Sequence, residues 1–314
     1  MGFEGLLGND RLKENLINSL GKGRISHFYL ISGPEGSGKH TLARLLTAAI
    51  LCKDPARPCG RCAPCRKALE GNHPDVITVD DPEHKTVAVR IVREAREDVF
   101  IRPNEADHKI YLFPQELGIE GQNALLKILE EPPAYGVFIL LTDNPDKLLP
   151  TVRSRCTELA LQALDEDILC RALAKEFPDR SQEDLHAAAL RSGGWLGQAR
   201  ELLAEGNTAP QTESFVRAFA QRDALLLTQT LAPMEKWKRD QLVPVLESWI
   251  ALMENALVCR AGLPATSAAE RTLSAARSSQ ELMNALCSLK KGRELALGNV
   301  SPGAVCGWLQ WELR

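Results

Sequence analysis

Five short apolar runs punctuate the first half of the chain: "HFYLIS" (27–32), "DVITVD" (75–80), "KIYLF" (109–113), "VFILLT" (137–142) and "CTELAL" (156–161). Each is rich in β-branched or aromatic residues, and helical patterns separate them. Runs of this kind alternating with helices predict a parallel sheet covered on both faces. After residue 161 the strand signal stops. "DEDILCRALAKEF" (165–177), "SQEDLHAAALRSGG" (181–194) and "WLGQARELLAEG" (195–206) predict three short helices, with "SGG" and "EGNTAP" as the breaks. From about residue 210 the pattern is helical again. Leu242, Leu246, Trp249, Ile250, Met253 and Leu257 recur as one stripe of a long helix, with Pro244 expected in its first turn, where proline is tolerated. The expected division is an α/β domain over 1–161, a small three-helix domain over 162–207 and an all-helical domain over 208–314.

Composition changes this picture little. A chain of 314 residues suits two or three domains. A net charge of −3 supplies no overall basic field to draw the whole chain to nucleic acid, although helix ends can still meet phosphates locally. No apolar run approaches the ~18–20 residues of a membrane span, so none is expected. The first 26 residues are charged throughout and unlike a signal peptide, which predicts a cytoplasmic location. In that reducing setting the nine cysteines are expected to be thiols or metal ligands.

The first candidate chemistry follows "HFYLIS". "GPEGSGKH" (33–40) fits the phosphate-loop pattern G-x-x-x-x-G-K-[ST] at Gly33, Gly38 and Lys39, with Gly36 as a further loop glycine. A strand before it and the helix "HTLARLLTAAILC" after it supply the required context. Backbone N–H groups would face a phosphate at the helix N-terminus, and Lys39 would reach the outer phosphates. The last position should carry a hydroxyl for Mg²⁺ and carries His40, a poor partner for a hard cation. Thr41 has a hydroxyl but is rotated by ~100° around the helix. The acidic pair expected at the end of "KIYLF" is replaced by Pro114 and Gln115; Glu116 comes late and reads as a solvated loop acid. Both halves of a magnesium site are altered together.

The second is "CKDPARPCGRCAPC", which spaces Cys52, Cys59, Cys62 and Cys65 as C-x₆-C-x₂-C-x₂-C. Four thiolates at this spacing can close a tetrahedron around Zn²⁺, and four protein ligands leave no open position, so the site reads as structural. A redox C-x-x-C and four unrelated thiols are the alternatives. Cys156, Cys170, Cys259, Cys287 and Cys306 are scattered and expected to pack in cores. His27, His73, His84, His108 and His186 show no ligand spacing.

"RISHFYLISGPEGSGKHTLARLLTAAILC", "PCGRCAPCRKALEGNHPDV", "NALLKILEEPP" (123–133) and "LLPTVRSRC" (148–156) occur in the order found in one family. The chain resembles the clamp-loader ATPases of bacterial DNA polymerase III, of the AAA+ class, specifically through about residue 205. The resemblance implies an α/β P-loop (AAA+, RecA-like) parallel-sheet domain carrying a zinc knuckle, then a helical lid and an all-α collar. It assigns phosphate contacts to Gly33, Gly36, Gly38, Lys39, His40 and Thr41, and a polar sensor to Thr142. It assigns "EGLLGN" (4–9) to the surroundings of the adenine. It makes Arg155, in "SRC", an arginine finger offered to a neighbouring subunit's ATP. The motor members carry a lid arginine where "GGWLGQA" has Gly197. With His40, Pro114 and Gln115, that points to the member that hydrolyses nothing: a nucleotide could dock, but ATP with Mg²⁺ poised for cleavage is not expected. The implied partners are gamma/tau and delta subunits, with the sliding clamp (beta) and primer–template DNA reached through the complex. An active gamma/tau-like motor and a zinc-containing adaptor outside replication are the alternatives.

Overall fold

The computed structural model describes residues 2–84, 86–204, 210–298 and 300–314. It divides into two compact units, Met1–Ile168 and Leu169–Arg314.

The first unit is built on strands β1 (Phe28–Ser32), β2 (Val76–Thr78), β4 (Lys109–Phe113), β6 (Gly136–Thr142) and β7 (Thr157–Ala160), with a separate pair β3 (Thr86–Val87) and β5 (Glu116–Leu117). The order of the large sheet is β2-β4-β6-β1-β7, and every pairing is parallel. Helices α1 (Asp10–Gly21), α2 (Lys39–Leu51), α3 (Ala63–Glu70), α4 (Val89–Asp98), α5 (Ile119–Glu130) and α6 (Pro150–Arg153) complete it. Every residue of β1 and β6 is buried, as central strands covered on both faces require. On one face Phe28, Tyr111 and Phe138 stack, with ring centroids 4.5 and 5.0 Å from Phe138, and pack with Val92 and Val99 near α4 and Leu125 and Ile128 of α5. Helix α2 packs against β1 and β6. The five strands lie where the apolar runs predict them. The β3–β5 pair is not anticipated: two residues per strand carry no readable alternation.

Helix α7 (Glu166–Glu176) leads into the second unit, which holds α8 (Gln182–Arg191), α9 (Leu196–Ala204), α10 (Pro210–Gln221), α11 (Ala224–Leu231), α12 (Arg239–Arg260), α13 (Ala268–Ala276), α14 (Ser279–Leu297) and α15 (Pro302–Glu312). The three short helices expected after residue 161 are α7, α8 and α9. Ser181 caps α8, its hydroxyl accepting the Asp184 N–H at 3.1 Å. Apart from Pro210, the predicted break "EGNTAP" and the 207/208 boundary lie outside the described residues.

One expectation about α12 is corrected. The helix starts at Arg239, so Pro244 is its sixth residue and sits beyond the first turn. Lacking an N–H, proline there cannot bond the carbonyl of Asp240. The helix is also 22 residues long, long and apolar enough by length and composition alone to cross a membrane. Its stripe of Leu242, Leu246, Trp249, Ile250 and Met253 nevertheless lies in the core of the helical unit, where Trp249 stacks on Phe215 with centroids 4.0 Å apart.

Candidate nucleotide and metal sites

β1 ends at Ser32, and the Gly33 N–H donates to the Thr142 carbonyl at 3.2 Å, tying the loop's start to the end of β6. Gly36 and Gly38 have φ of 75° and 95°, the left-handed region that glycine enters without strain. Gly38 caps α2 without a side chain, the arrangement that turns a helix N-terminus toward an anion.

Lys39 is buried. Its Nζ donates to the Gly33 carbonyl at 2.6 Å, the Pro34 carbonyl at 2.9 Å and Asp143 Oδ1 at 2.5 Å. An ammonium has three donors, and all three are matched. His40 is exposed; partial desolvation, then the Lys39 charge, hold its pKa below the ordinary value. Thr41 is exposed. The buried Thr142 hydroxyl donates to the Asn144 carbonyl at 2.9 Å and accepts the Asn144 N–H at 3.2 Å, closing its own turn.

Beyond β4, Gln115 serves the backbone. Its Oε1 accepts the Asp81 N–H at 2.6 Å, and its Nε2 donates to the Asp81 and His84 carbonyls at 3.0 Å each. Glu116 departs from the expected solvated loop acid. It lies half-buried in β5 and accepts from Lys147 Nζ through both oxygens, at 2.8 and 3.0 Å. Lys39, Gln115, Glu116, Thr142, Asp143 and Lys147 line a common cavity of about 270 Å³. Two ammoniums and two carboxylates face it, already paired with one another.

Arg155 lies elsewhere. Its side chain is exposed at the end of the turn after α6, with Nη2 3.2 Å from Glu130 Oε1 and Nη1 donating to the Thr151 carbonyl at 2.8 Å. Next to it, burial pushes the Cys156 thiol up to about 11. β1 and β7 run parallel, Tyr29 opposite Thr157 and Ser32 opposite Ala160. Arg155 therefore precedes β7 at one end of the sheet, while Gly33–Lys39 follow β1 at the other. At ~3.3 Å per residue the strands alone separate them by about 10 Å. Gly33, Lys39 and Thr142 come together; Arg155 does not join them. Gly197 lies in α9 of the second unit.

The four cysteines converge. Cys59 and Cys65 sulfurs are 4.0 Å apart, those of Cys52 and Cys62 are 3.9 Å apart, and all four lie within 4.8 Å of one another. Zn–S bonds of ~2.3 Å in a tetrahedron place sulfurs about 3.8 Å apart, so the quartet fits zinc. Backbone N–H groups of Arg61 and Cys62 stabilise the Cys59 thiolate and lower its pKa to about 6. Burial pushes Cys65 and Cys62 upward, and a bound cation would reverse that.

Sequence reasoning missed Asp143, Lys147 and Glu130 as partners of these groups. It also missed the approach of Cys170 Sγ to His186 Nδ1, 3.6 Å apart across α7 and α8. Each pair joins residues from different elements, and spacing along the chain carries no signal for it.

A family model described as "DNA polymerase III, delta subunit" matches residues 8–165. Over 167 residues the chain is 39% identical to DNA polymerase III subunit tau of Salmonella typhimurium, a match covering 52% of this chain and 26% of that protein. Over 241 residues it is 37% identical to subunit tau of Bacillus subtilis, covering 74% of this chain and 41% of that one. A solved DNA polymerase III gamma subunit-related protein from Thermotoga maritima aligns over 96% of this chain and 99% of its own, at 16% identity and a TM-score of 0.47. The chain spans about a quarter to two-fifths of the length of these curated relatives.

Proposed function

Because the chain belongs to the DNA polymerase III delta-subunit family, we propose that it is the delta-prime-type member of a bacterial clamp loader. On this reading it hydrolyses no ATP itself and lends Arg155 to the ATP of an adjacent gamma/tau subunit. The observation that carries the reading is the contrast between the two ends of the sheet. At the loop end, Gln115 serves backbone groups and Lys39 and Lys147 are neutralised by carboxylates. At the other end a guanidinium stands exposed, beyond reach of its own loop.

The chemistry asked of Arg155 is electrostatic. Charge builds on the γ-phosphate oxygens as the neighbour's phosphoryl group transfers, and a guanidinium aimed at them lowers that barrier. The Glu130 carboxylate parks the side chain until a more strongly charged acceptor displaces it. The remaining assignments follow from the same reading. The AAA+ domain spans 1–161, the lid 162–207 and the collar 208–314, through which it assembles with gamma/tau and delta in the cytoplasm. The sliding clamp and primed DNA are met through the complex. Cys52, Cys59, Cys62 and Cys65 hold a structural zinc.

The test is a complex reconstituted with gamma/tau, delta, clamp and primed DNA. Arg155→Ala is expected to lower the ATPase rate by about 10³-fold or more at the one site it completes, with assembly intact. An unchanged rate removes the assignment. A gamma/tau-like motor is the second reading, favoured by the identity to tau subunits. It requires the purified chain to hydrolyse ATP with Mg²⁺ and to lose that activity on Lys39→Ala.

A further inference from the structure

Asp143 stands at the end of β6, one residue beyond Thr142, and its carboxylate reaches Lys39 Nζ at 2.5 Å. We propose that Asp143 acts as the loop's internal anion: it occupies Lys39 in place of a nucleotide phosphate and sets the site's affinity for one. The proposal rests on the reading of Gly33–Lys39 as a phosphate loop and explains how that loop is kept from nucleotide.

Three features carry it. The Lys39 ammonium is almost wholly enclosed, its side chain only 9% exposed, and its three donors are spent on Gly33, Pro34 and Asp143. A phosphate oxygen can gain Lys39 only by displacing one of these acceptors. Asp143 is the charged one, and it is 55% exposed, so it faces the same cavity that an incoming phosphate would enter. Across the cavity Lys147, the other ammonium lining it, is held by both oxygens of Glu116. An incoming polyphosphate thus meets two carboxylates and gains no unmatched cation among these residues. Desolvation and the neighbouring Lys39 charge both disfavour the charged form of His40.

The same carboxylates invite a different role. Asp143 and Glu116 could replace the missing acidic pair as magnesium ligands. The geometry argues against it, because an ammonium 2.5 Å from Oδ1 repels a divalent cation from that oxygen.

The experiment titrates the full chain with ATP, with and without Mg²⁺, and with inorganic phosphate, by calorimetry. Asp143→Asn keeps the size of the side chain and removes its charge. It is expected to tighten ATP binding by about tenfold or more, magnesium present or absent. Adding Lys39→Ala to Asp143→Asn should abolish the gain. Affinity unchanged or weakened by Asp143→Asn overturns the proposal, and a loss confined to the Mg²⁺ titration identifies Asp143 as a metal ligand. Circular dichroism confirms that each variant is folded; should Asp143→Asn unfold, Asp143→Ser is read in the same titrations. None of these results depends on a second subunit, so the proposal and the role of Arg155 stand or fall separately.

Discussion

Arg191 and Glu270 form an ion pair 2.8 Å long with both side chains almost wholly buried, 5% and 3% exposed. Arg191 also donates to the Thr266 hydroxyl at 3.2 Å and to the Asn255 side-chain oxygen. Glu270 in turn accepts the Thr266 N–H at 2.8 Å and its hydroxyl at 2.7 Å. A second pair, Arg271 with Asp184 at 2.8 Å, joins the same helices, so α8 is fastened to α13 by two ion pairs.

Removing one partner of such a pair strands the other charge in the interior. Arg191→Ala is expected to destabilise the helical unit by about 3–5 kcal/mol, and Arg191→Met with Glu270→Leu by much less. Urea unfolding followed by circular dichroism reads both. Equal losses in the single and double variants would mean that the charges do not depend on each other.

The cysteine quartet predicts one zinc per chain after purification without chelator. Cys65→Ser should lose the metal and about 2 kcal/mol or more of stability. Elemental analysis paired with thermal melts checks it. Metal-free wild-type protein from zinc-replete cells would leave only packed thiols.

Asp75 is fully buried and accepts the N–H groups of Asn104, Glu105 and Ala106 at 2.5, 2.9 and 2.9 Å. Burial raises its pKa, the three donors outweigh that, and the net value lies below the ordinary 3.8. Its native form therefore binds fewer protons than its unfolded form near that pH. The stability it contributes is present above about pH 3.8 and is lost as pH falls through the lower native value. Asp75→Asn should cost about 1–3 kcal/mol at neutral pH. The gap from wild type should close progressively in acid, which denaturant midpoints across pH 2–7 would resolve. A gap independent of pH would assign the effect to shape alone.

The central strands are legible because burial on both faces forces continuous apolar runs. "VFILLT" could hardly be anything but a covered strand, and it is β6. The zinc quartet is legible for a different reason: its ligands lie close in sequence, so spacing alone nearly fixes their convergence. Pairings between remote elements are illegible by the same logic. Lys39 meets Asp143 across 104 residues, and only the parallel pairing of β1 with β6 puts their following loops side by side. Glu116 reads as a loop acid because nothing near it in sequence announces Lys147. Pro244 is misplaced because the apolar stripe begins at Leu242, three residues inside α12, and leaves the polar start of the helix unmarked.

In a sheet of parallel strands every carboxyl terminus points one way, and the two rims are built from different loops. Side chains at the loop rim, His40 and Gln115 among them, can change without moving the backbone turn that presents Arg155. A change at one rim therefore need not reach the other, and the turn that carries Arg155 keeps its shape whatever side chains surround Lys39.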